Sequence, residues 1–431
     1  MKRMTFYRQS FFLFYFVLFS FFVAFAQSKT LPDTLQLSID DAEKLFLEKN
    51  FELLVSKFEV NSAEAAIVQA KLWDNPSLNV DQGAYNWETG KWFDVTKTGE
   101  TAISIEQLIH IARQRNKNVQ LQKINAQIAT YQFYDLMRTL RYELRTNFYS
   151  LYFLRQSVSV YDGEIASLNI LVNAYQRQYQ KGNIAFKELA RLQALQFNLE
   201  NERTDLLKDI SEKQNILSLF TGDTLARIIV PVFSPASFDN TNATELAFSM
   251  LLDSAFANRN DLKMAQTQIE ANQTNLALQK SLRTPDLHLG ANYDRAGSYI
   301  TDYNSVSLGI DLPFFNRNQG NIKAAEYKIE ESNLLKSKAE IEVRNGITKA
   351  FTQLVEADKL YRASQEQFTG DYNKLLEGIT KGYQNRTISL LEFIDYYETF
   401  KNSKIAFNRL QNNRLEAIES INLATGTIIL K

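Results

Sequence analysis

Three carboxylates and one phenol stand beside short turns in otherwise long, polar, helical stretches: Glu188, Glu392, Asp395 and Tyr383. Carboxylates gathered at a constriction attract cations and repel anions, most strongly where the dielectric is low. On an open helix surface the same groups are simply solvated, the commonest fate of Glu and Asp. Metal ligation is poorly provided for. The 431 residues hold two histidines, His110 and His288, in different strand-like regions, and no cysteine. Of five methionines, Met1 and Met4 belong to the N-terminal leader. A nitrogen or sulfur site needs several convergent donors, so no metal or cofactor site is expected. Catalysis is not expected either. The chain has no nucleophile elbow, phosphate loop, HExxH or CxxC motif. The turn carboxylates lie on coiled-coil turns, a poor place for a dry pocket. A formal net charge of −1 supplies no basic field for nucleic acid.

The elements that must position these residues form one plan written twice. Asn50-Phe51-Glu52-Leu53, a helical stretch and Asn75-Pro76 are repeated as Asn260-Asp261-Leu262, a helical stretch and Thr284-Pro285. YQKGNIAFKEL (179–189) matches YQNRTISLLEF (383–393). A period this long is not that of a solenoid, whose units are about 20–50 residues. It points to a subunit that gives two equivalent wall segments to a tube.

Residues 1–26 read as a signal peptide. Lys2, Arg3 and Arg8 precede an apolar run that ends at Ala24-Phe25-Ala26. The run is shorter than the roughly 20 apolar residues of a membrane-spanning helix. The first repeat, 27–220, is expected to hold a helix over 37–73, a β-hairpin over 77–108, and long helices over 113–181 and 186–220. A linker with a short strand, 221–243, leads to the second repeat, 244–431. There a helix over 245–282, a hairpin over 286–312, and helices over 318–382 and 388–423 are expected. Only six prolines and fifteen glycines interrupt the chain, which suits long helices. The second rod carries a seam stepping by four and three: Ile347, Phe351, Leu354, Asp358, Tyr361, Gln365, Phe368, Tyr372, Leu375, Ile379.

The strands alternate. Leu287, Leu289, Ala291 and Tyr293 share a face opposite His288, Gly290, Asn292 and Asp294; Val306, Leu308, Ile310 and Leu312 oppose Ser305, Ser307, Gly309 and Asp311. Ile103 and Ile105 oppose Ala102, Ser104 and Glu106, behind a loop bearing Trp87, Trp92 and Phe93. Such alternation fits a strand facing lipid and a soluble strand with one buried side equally well. Four strands cannot close a barrel, and lipid tolerates no open sheet edge, so lipid-facing strands require several chains.

The order helix, hairpin, rod, turn, rod, duplicated behind an export signal, resembles the TolC-type outer membrane efflux proteins over essentially the whole mature chain. GYQNRTISLLEFID (382–395) is similar to that family's periplasmic tip segment. GIDLPFFNRNQGN (309–321) is similar to the strand-to-helix junction of the heavy-metal, CzcC-like branch. Locally, Pro313 is expected to end the strand, Asn316 or Asn318 to cap the helix, and Gly320 to permit close backbone approach.

The resemblance implies a mainly α fold with a small β part. Each chain of a homotrimer would give four strands to a shared outer membrane β-barrel. An antiparallel α-helical coiled-coil barrel would continue it through the periplasm, with 221–243 and the termini as a belt. The resemblance further implies that Tyr383 matches a gate tyrosine, and that Glu392, Asp395 and Glu188 match acidic positions near the entrance. Ile388 stands where the family has a gate arginine, with Arg386 two residues away. Gly182, Ile184, Ala185, Thr387, Ile388 and Ser389 would be the tips that dock a periplasmic adaptor. The implied function is a passive exit duct of a tripartite system driven by an inner membrane transporter of the resistance-nodulation-division (RND) type, exporting heavy-metal cations. Multidrug efflux and type I protein secretion use the same architecture. A soluble periplasmic coiled-coil scaffold would instead leave the processed chain in the soluble fraction without detergent.

Overall fold

The computed structural model describes residues 33–225, 227–238, 246–296, 300–368 and 372–430. The expected signal peptide, 1–26, lies outside them. In chain order the described elements are β1 (Thr34–Leu37), α1 (Ile39–Lys49), α2 (Phe51–Ala70), β2 (Ser77–Gln82), β3 (Tyr85–Asn86), β4 (Lys91–Trp92), β5 (Thr101–Ile109), α3 (Gln114–Gln180), α4 (Phe186–Thr221) and β6 (Ile228–Pro231). A 3-10 turn (Pro235–Phe238) follows. Then come α5 (Phe248–Asn258), α6 (Asn260–Ser281), β7 (Leu287–Asp294), β8 (Tyr303–Ile310), α7 (Gln319–Phe368), α8 (Tyr372–Gln384) and α9 (Leu390–Thr425).

The expected helix over 37–73 is two helices. Ser38 starts the first with a capping box: its hydroxyl accepts from the Asp41 amide at 3.2 Å, and the Asp41 carboxylate accepts from the Ser38 amide at 3.4 Å. At Asn50 the backbone turns extended (φ −64°, ψ 122°) and stops α1. The Asn50 side chain then accepts from the Leu53 amide at 3.0 Å and starts α2. The second copy breaks at the matching place: α5 and α6 meet at Arg259, with φ −65° and ψ 123°. Neither break carries a proline or glycine, so the sequence shows no stop there.

The rods follow from uninterrupted sequence. α3 runs 67 residues, on the order of 100 Å at about 1.5 Å per residue. It packs along α4, α2, α6 and α9. The second rod is formed by α7 and α8; residues 369–371 between them lie outside the description. Along its seam Ile347, Leu354, Asp358 and Tyr361 are buried. The side chains of Phe368, Tyr372 and Leu375 are not among those described. Asp358 occupies its apolar seam position by pairing with Arg414 at 2.7 Å and Arg362 at 2.9 Å.

Two apolar cores hold the rods together. One lies at the middle, where Phe46, Leu144, Phe148, Leu217, Ile229, Val343 and Ile418 meet. Two features there were not expected. β1 pairs in parallel with β6, Thr34 opposite Ile228, tying the start of the described chain to the linker. Buried Arg145 bridges three helices, with Glu43 and Glu419 each at 2.7 Å and the Tyr149 hydroxyl at 3.0 Å. The second core lies at the far end of the rods, around Leu168, Leu192, Phe393 and Tyr397.

The four main strands form one antiparallel sheet, ordered β2-β5-β7-β8. The two hairpins are therefore joined by β5 and β7, and β2 and β8 are left as edges. Register fuses the separate alternations into two faces. Leu78, Ile105, Ala291 and Val306 lie in one row across the strands. Asn79, Ser104, Asn292 and Ser305 form the neighbouring row on the opposite face.

Candidate functional site

The sheet carries the first site. Its apolar face is uncovered in the chain: Val306 is 87% and Leu308 65% exposed. A contiguous apolar face of this kind on a sheet marks an interaction surface. Among the described residues no helix is long and apolar enough to cross a membrane. The polar face bears Ser104, Glu106, His288, Asn292 and Asp294. Both histidines stand near the end of this face closest to the helices, each between two carboxylates. His110 contacts Asp74 through Nε2 and Asp286 through Nδ1, both at 3.0 Å. His288 contacts Glu106 through Nδ1 at 2.6 Å and Asp311 through Nε2 at 3.3 Å. Each carboxylate takes a different ring nitrogen, so each histidine links two separate chain segments and its carboxylates do not aim at a common point. Among the described residues no group of three or more His, Cys, Asp or Glu could hold a metal ion. Sequence reading missed these clamps because their members lie far apart in the chain.

At the junction between sheet and helices the two repeats share a device. Arg113 and Asn318 both take the left-handed conformation (φ 58° and 56°) immediately before α3 and α7. The Asn318 side chain donates to the Gln279 carbonyl at 2.8 Å, lashing the start of α7 to α6. Asn316 accepts from the Asn318 amide at 3.0 Å in a local turn. Neither side chain accepts from an α7 amide in the manner expected of a cap. β8 ends at Ile310, three residues before Pro313. A Cβ at Gly320 would meet nothing within 4 Å in the chain.

The tips carry the second site. Gly182 closes the first turn at φ +74°, with Gly182 N donating to Tyr179 O at 2.8 Å and Asn183 N to Gln178 O at 3.0 Å. The repeat match sets Arg386 opposite Gly182, and Arg386 takes the same left-handed conformation at φ 61°. The second apex is thus Arg386; Gly382 lies within α8. A Cβ at Gly382 would press on Thr387 Oγ1 at 3.3 Å. Ala185, Thr387 and Ser389 are exposed, Ile184 and Ile388 half-buried.

Tyr383 does not face outward from the chain. It is 4% exposed and stacked between Tyr175 (centroids 5.7 Å apart) and Phe393 (4.6 Å). Its hydroxyl finds no hydrogen-bond partner. Burial pushes its ionisation far above the ordinary phenol range, and the adjacent Tyr175 and Glu188 add to the rise. The structure thus brings Glu188 and Tyr383 together across the two hairpins. Glu392 is engaged locally: its carboxylate accepts from the Ser389 amide at 2.8 Å, and its own amide donates to the Ser389 hydroxyl at 3.2 Å. The Ser389 amide, and then its hydroxyl, hold that carboxyl below its ordinary range. Asp395, one turn later, is exposed.

A buried polar group in the tip core had no sequence signal. Glu164 is 2% exposed and neither carboxylate oxygen has a partner. Burial pushes its pKa up to about 8, opposed by Lys401 and assisted by Glu202. Glu202 itself accepts from the Tyr161 hydroxyl at 2.9 Å and pairs with buried Lys401. The Tyr397 hydroxyl donates to the Glu164 carbonyl at 2.6 Å.

An amphipathic open sheet carried at the end of long paired helices is the fold class of solved outer membrane channels. The chain belongs to the outer membrane efflux protein family, whose model matches residues 44–223 and again 251–427. The cobalt-zinc-cadmium resistance protein CzcC of Cupriavidus metallidurans is 19% identical over 390 residues, 90% of each chain. The Campylobacter jejuni CmeC outer membrane channel superposes with a TM-score of 0.72 at 14% identity, over 90% of this chain and 85% of that one. CusC, described in terms of transmembrane channel formation, superposes at 0.67 and 16% identity, over 90% and 92%. The chain is an outer membrane efflux channel, a transport duct and not an enzyme, with its helical tube in the periplasm.

Proposed function

We propose that three copies of the chain close one barrel, each contributing its four strands, and that the duct passes heavy-metal cations. The observation that carries this reading is the open sheet with one apolar face and two edges, β2 and β8, unpaired within the chain. In lipid each unpaired backbone group costs several kcal/mol, so edges must meet edges of other copies. The likeness to CzcC along 90% of both chains supports a metal cargo. Energy would come from an RND-type inner membrane transporter, coupled through a periplasmic adaptor seated on the tips around Gly182, Ile184, Ala185, Thr387, Ile388 and Ser389.

Symmetry would turn exposed Asp395 into a ring of three carboxylates at the periplasmic entrance. Glu392 is the weaker candidate, because its carboxylate already caps α9. Buried Tyr383 would act on the gate by packing the hairpins together, with Glu188 beside it.

Deletion of the gene is expected to raise sensitivity to Zn, Co or Cd. Unchanged metal tolerance with new sensitivity to dyes and detergents would move the cargo to drugs. In planar bilayers Asp395→Ala is expected to weaken blockade by multivalent cations; unchanged blockade would remove Asp395 from the constriction.

A further inference from the structure

The far end of the sheet from the helices carries a loop, 83–100, whose structure is built around one carboxylate. Asp94 is buried. Its Oδ1 accepts from the Thr96 amide (3.0 Å) and hydroxyl (2.6 Å), and its Oδ2 from the Thr98 and Thr89 hydroxyls (3.0 and 3.2 Å). The Thr96 hydroxyl and amide, with smaller help from Thr98 and Thr89 against the cost of burial, hold the carboxyl down to about 2. Gly99 presses against this hub so closely that a Cβ would fall 1.5 Å from the Asp94 carbonyl oxygen. Around the hub the side chains that elsewhere seek burial are left outside. Trp87 is 88%, Trp92 70%, Phe93 63% and Val95 69% exposed. Lys91 and Lys97 lie exposed among them.

Register decides the direction in which this loop leans. Gln82 pairs with Thr101, and Arg295 N donates to Thr101 O, so these three form the last row of the sheet. Their places in the alternation put them on the face of Val80, Ile103 and Tyr293, the apolar one. Arg295 and Gln82 lash the loop, and Thr101 braces Gln82. Arg295 Nη1 donates to the Val95 carbonyl at 2.6 Å and to that of Thr96 at 3.3 Å. Gln82 Nε2 donates to the Asp94 carbonyl at 3.1 Å, and Thr101 Oγ1 steadies Gln82 at 2.7 Å. The loop is therefore tied down on the apolar side of the sheet, continuous with its exposed apolar face.

We propose that loop 83–100 is a preformed anchor that lays Trp87, Trp92, Phe93 and Val95 into the interfacial zone of the outer leaflet beside the barrel, and does not cover its mouth. Aromatic rings settle at that depth because one end is apolar and the other tolerates water, and lysines among them suit anionic headgroups.

The chain has three tryptophans and 20 tyrosines, so Trp73→Phe, with excitation beyond the tyrosine absorption, leaves the loop's Trp87 and Trp92 as the emitters. This variant of the full-length protein is reconstituted into phosphatidylethanolamine–phosphatidylglycerol vesicles doped with lipids brominated just below the headgroup, and insertion is verified by channel conductance. Emission is expected to fall at least roughly twofold relative to unbrominated vesicles. Unquenched, red-shifted emission from inserted, conducting channels would overturn the proposal. Adding Asp94→Ala, which releases the hub, is expected to abolish most of the quenching while conductance persists. Quenching unchanged by that substitution would refute the preformed anchor.

Discussion

Glu164 shows what one residue in the tip core can reveal. A carboxyl whose folded-state pKa is about 8, against an ordinary 4.5, stays protonated in the fold where the unfolded chain has already ionised. The folded state thus holds the extra proton between those values, so its stability falls as pH rises through that window and levels off above about 8. The groups facing it are Lys401, Glu202, Tyr161 and Tyr397, from α9, α4, α3 and α9 in turn. Glu164→Gln keeps the shape and removes the titration. Its melting temperature is expected to exceed that of the parent at pH 9 and to converge with it near pH 4, the steepest divergence approaching about 1.4 kcal/mol per pH unit. Parallel melting curves across that range would show Glu164 to be ionised in the fold. The apex residues act locally too. Arg386 holds a left-handed conformation that glycine occupies in the first repeat, at a cost of about 1 kcal/mol. Arg386→Gly is therefore expected to raise tip stability, measured by hydrogen exchange at 381–390.

At the scale of elements, the sheet's two faces make opposite demands. Ile105 sits mid-strand in the apolar row, and Ser104 beside it points to the polar side. Ile105→Arg would put a charge into hydrocarbon at roughly 2–4 kcal/mol per copy. It is expected to prevent recovery of heat-stable channels from membranes. Ser104→Arg is expected to insert normally and shift ion selectivity toward anions. Equal tolerance of both would reassign the faces. The helices depend on paired charges as well as on apolar seams. Arg145 joins α1, α3 and α9 through Glu43 and Glu419. Arg145→Met is expected to destabilise the middle of the tube by about 3–5 kcal/mol, because buried Glu419 would lose its cationic partner and keep only Asn422 and Tyr149.

For the whole molecule, closure is the decisive property. Within one chain two strands separate β2 from β8, three spacings of about 4.8 Å or about 14 Å, too far for a disulfide. The chain has no cysteine of its own. Asn79→Cys combined with Ser305→Cys or Ser307→Cys should therefore cross-link only between copies. A covalent ladder ending at three chains is the expected result in at least one pairing. A ladder that stops at two, or no cross-linking in membranes, would contradict a threefold barrel. Lipid around a closed barrel would also cover the apolar groups exposed on the single chain, such as Val306 and Leu308, which a soluble protein would bury.

Much of this was legible in the linear chain because it depends on local periodicity. Period-two alternation marked the strands, missing prolines marked the rods, and the repeat of YQKGNIAFKEL as YQNRTISLLEF marked both turns. Pairing decided the rest. The order β2-β5-β7-β8, the clamping of His110 by Asp74 and Asp286, the burial of Tyr383 against Tyr175, and the unpartnered Glu164 all join residues distant in sequence or turned inward by packing. No single segment encodes which distant group will face it. That depends on register and on how the helices are rotated against each other, and both are set only when the apolar surfaces close.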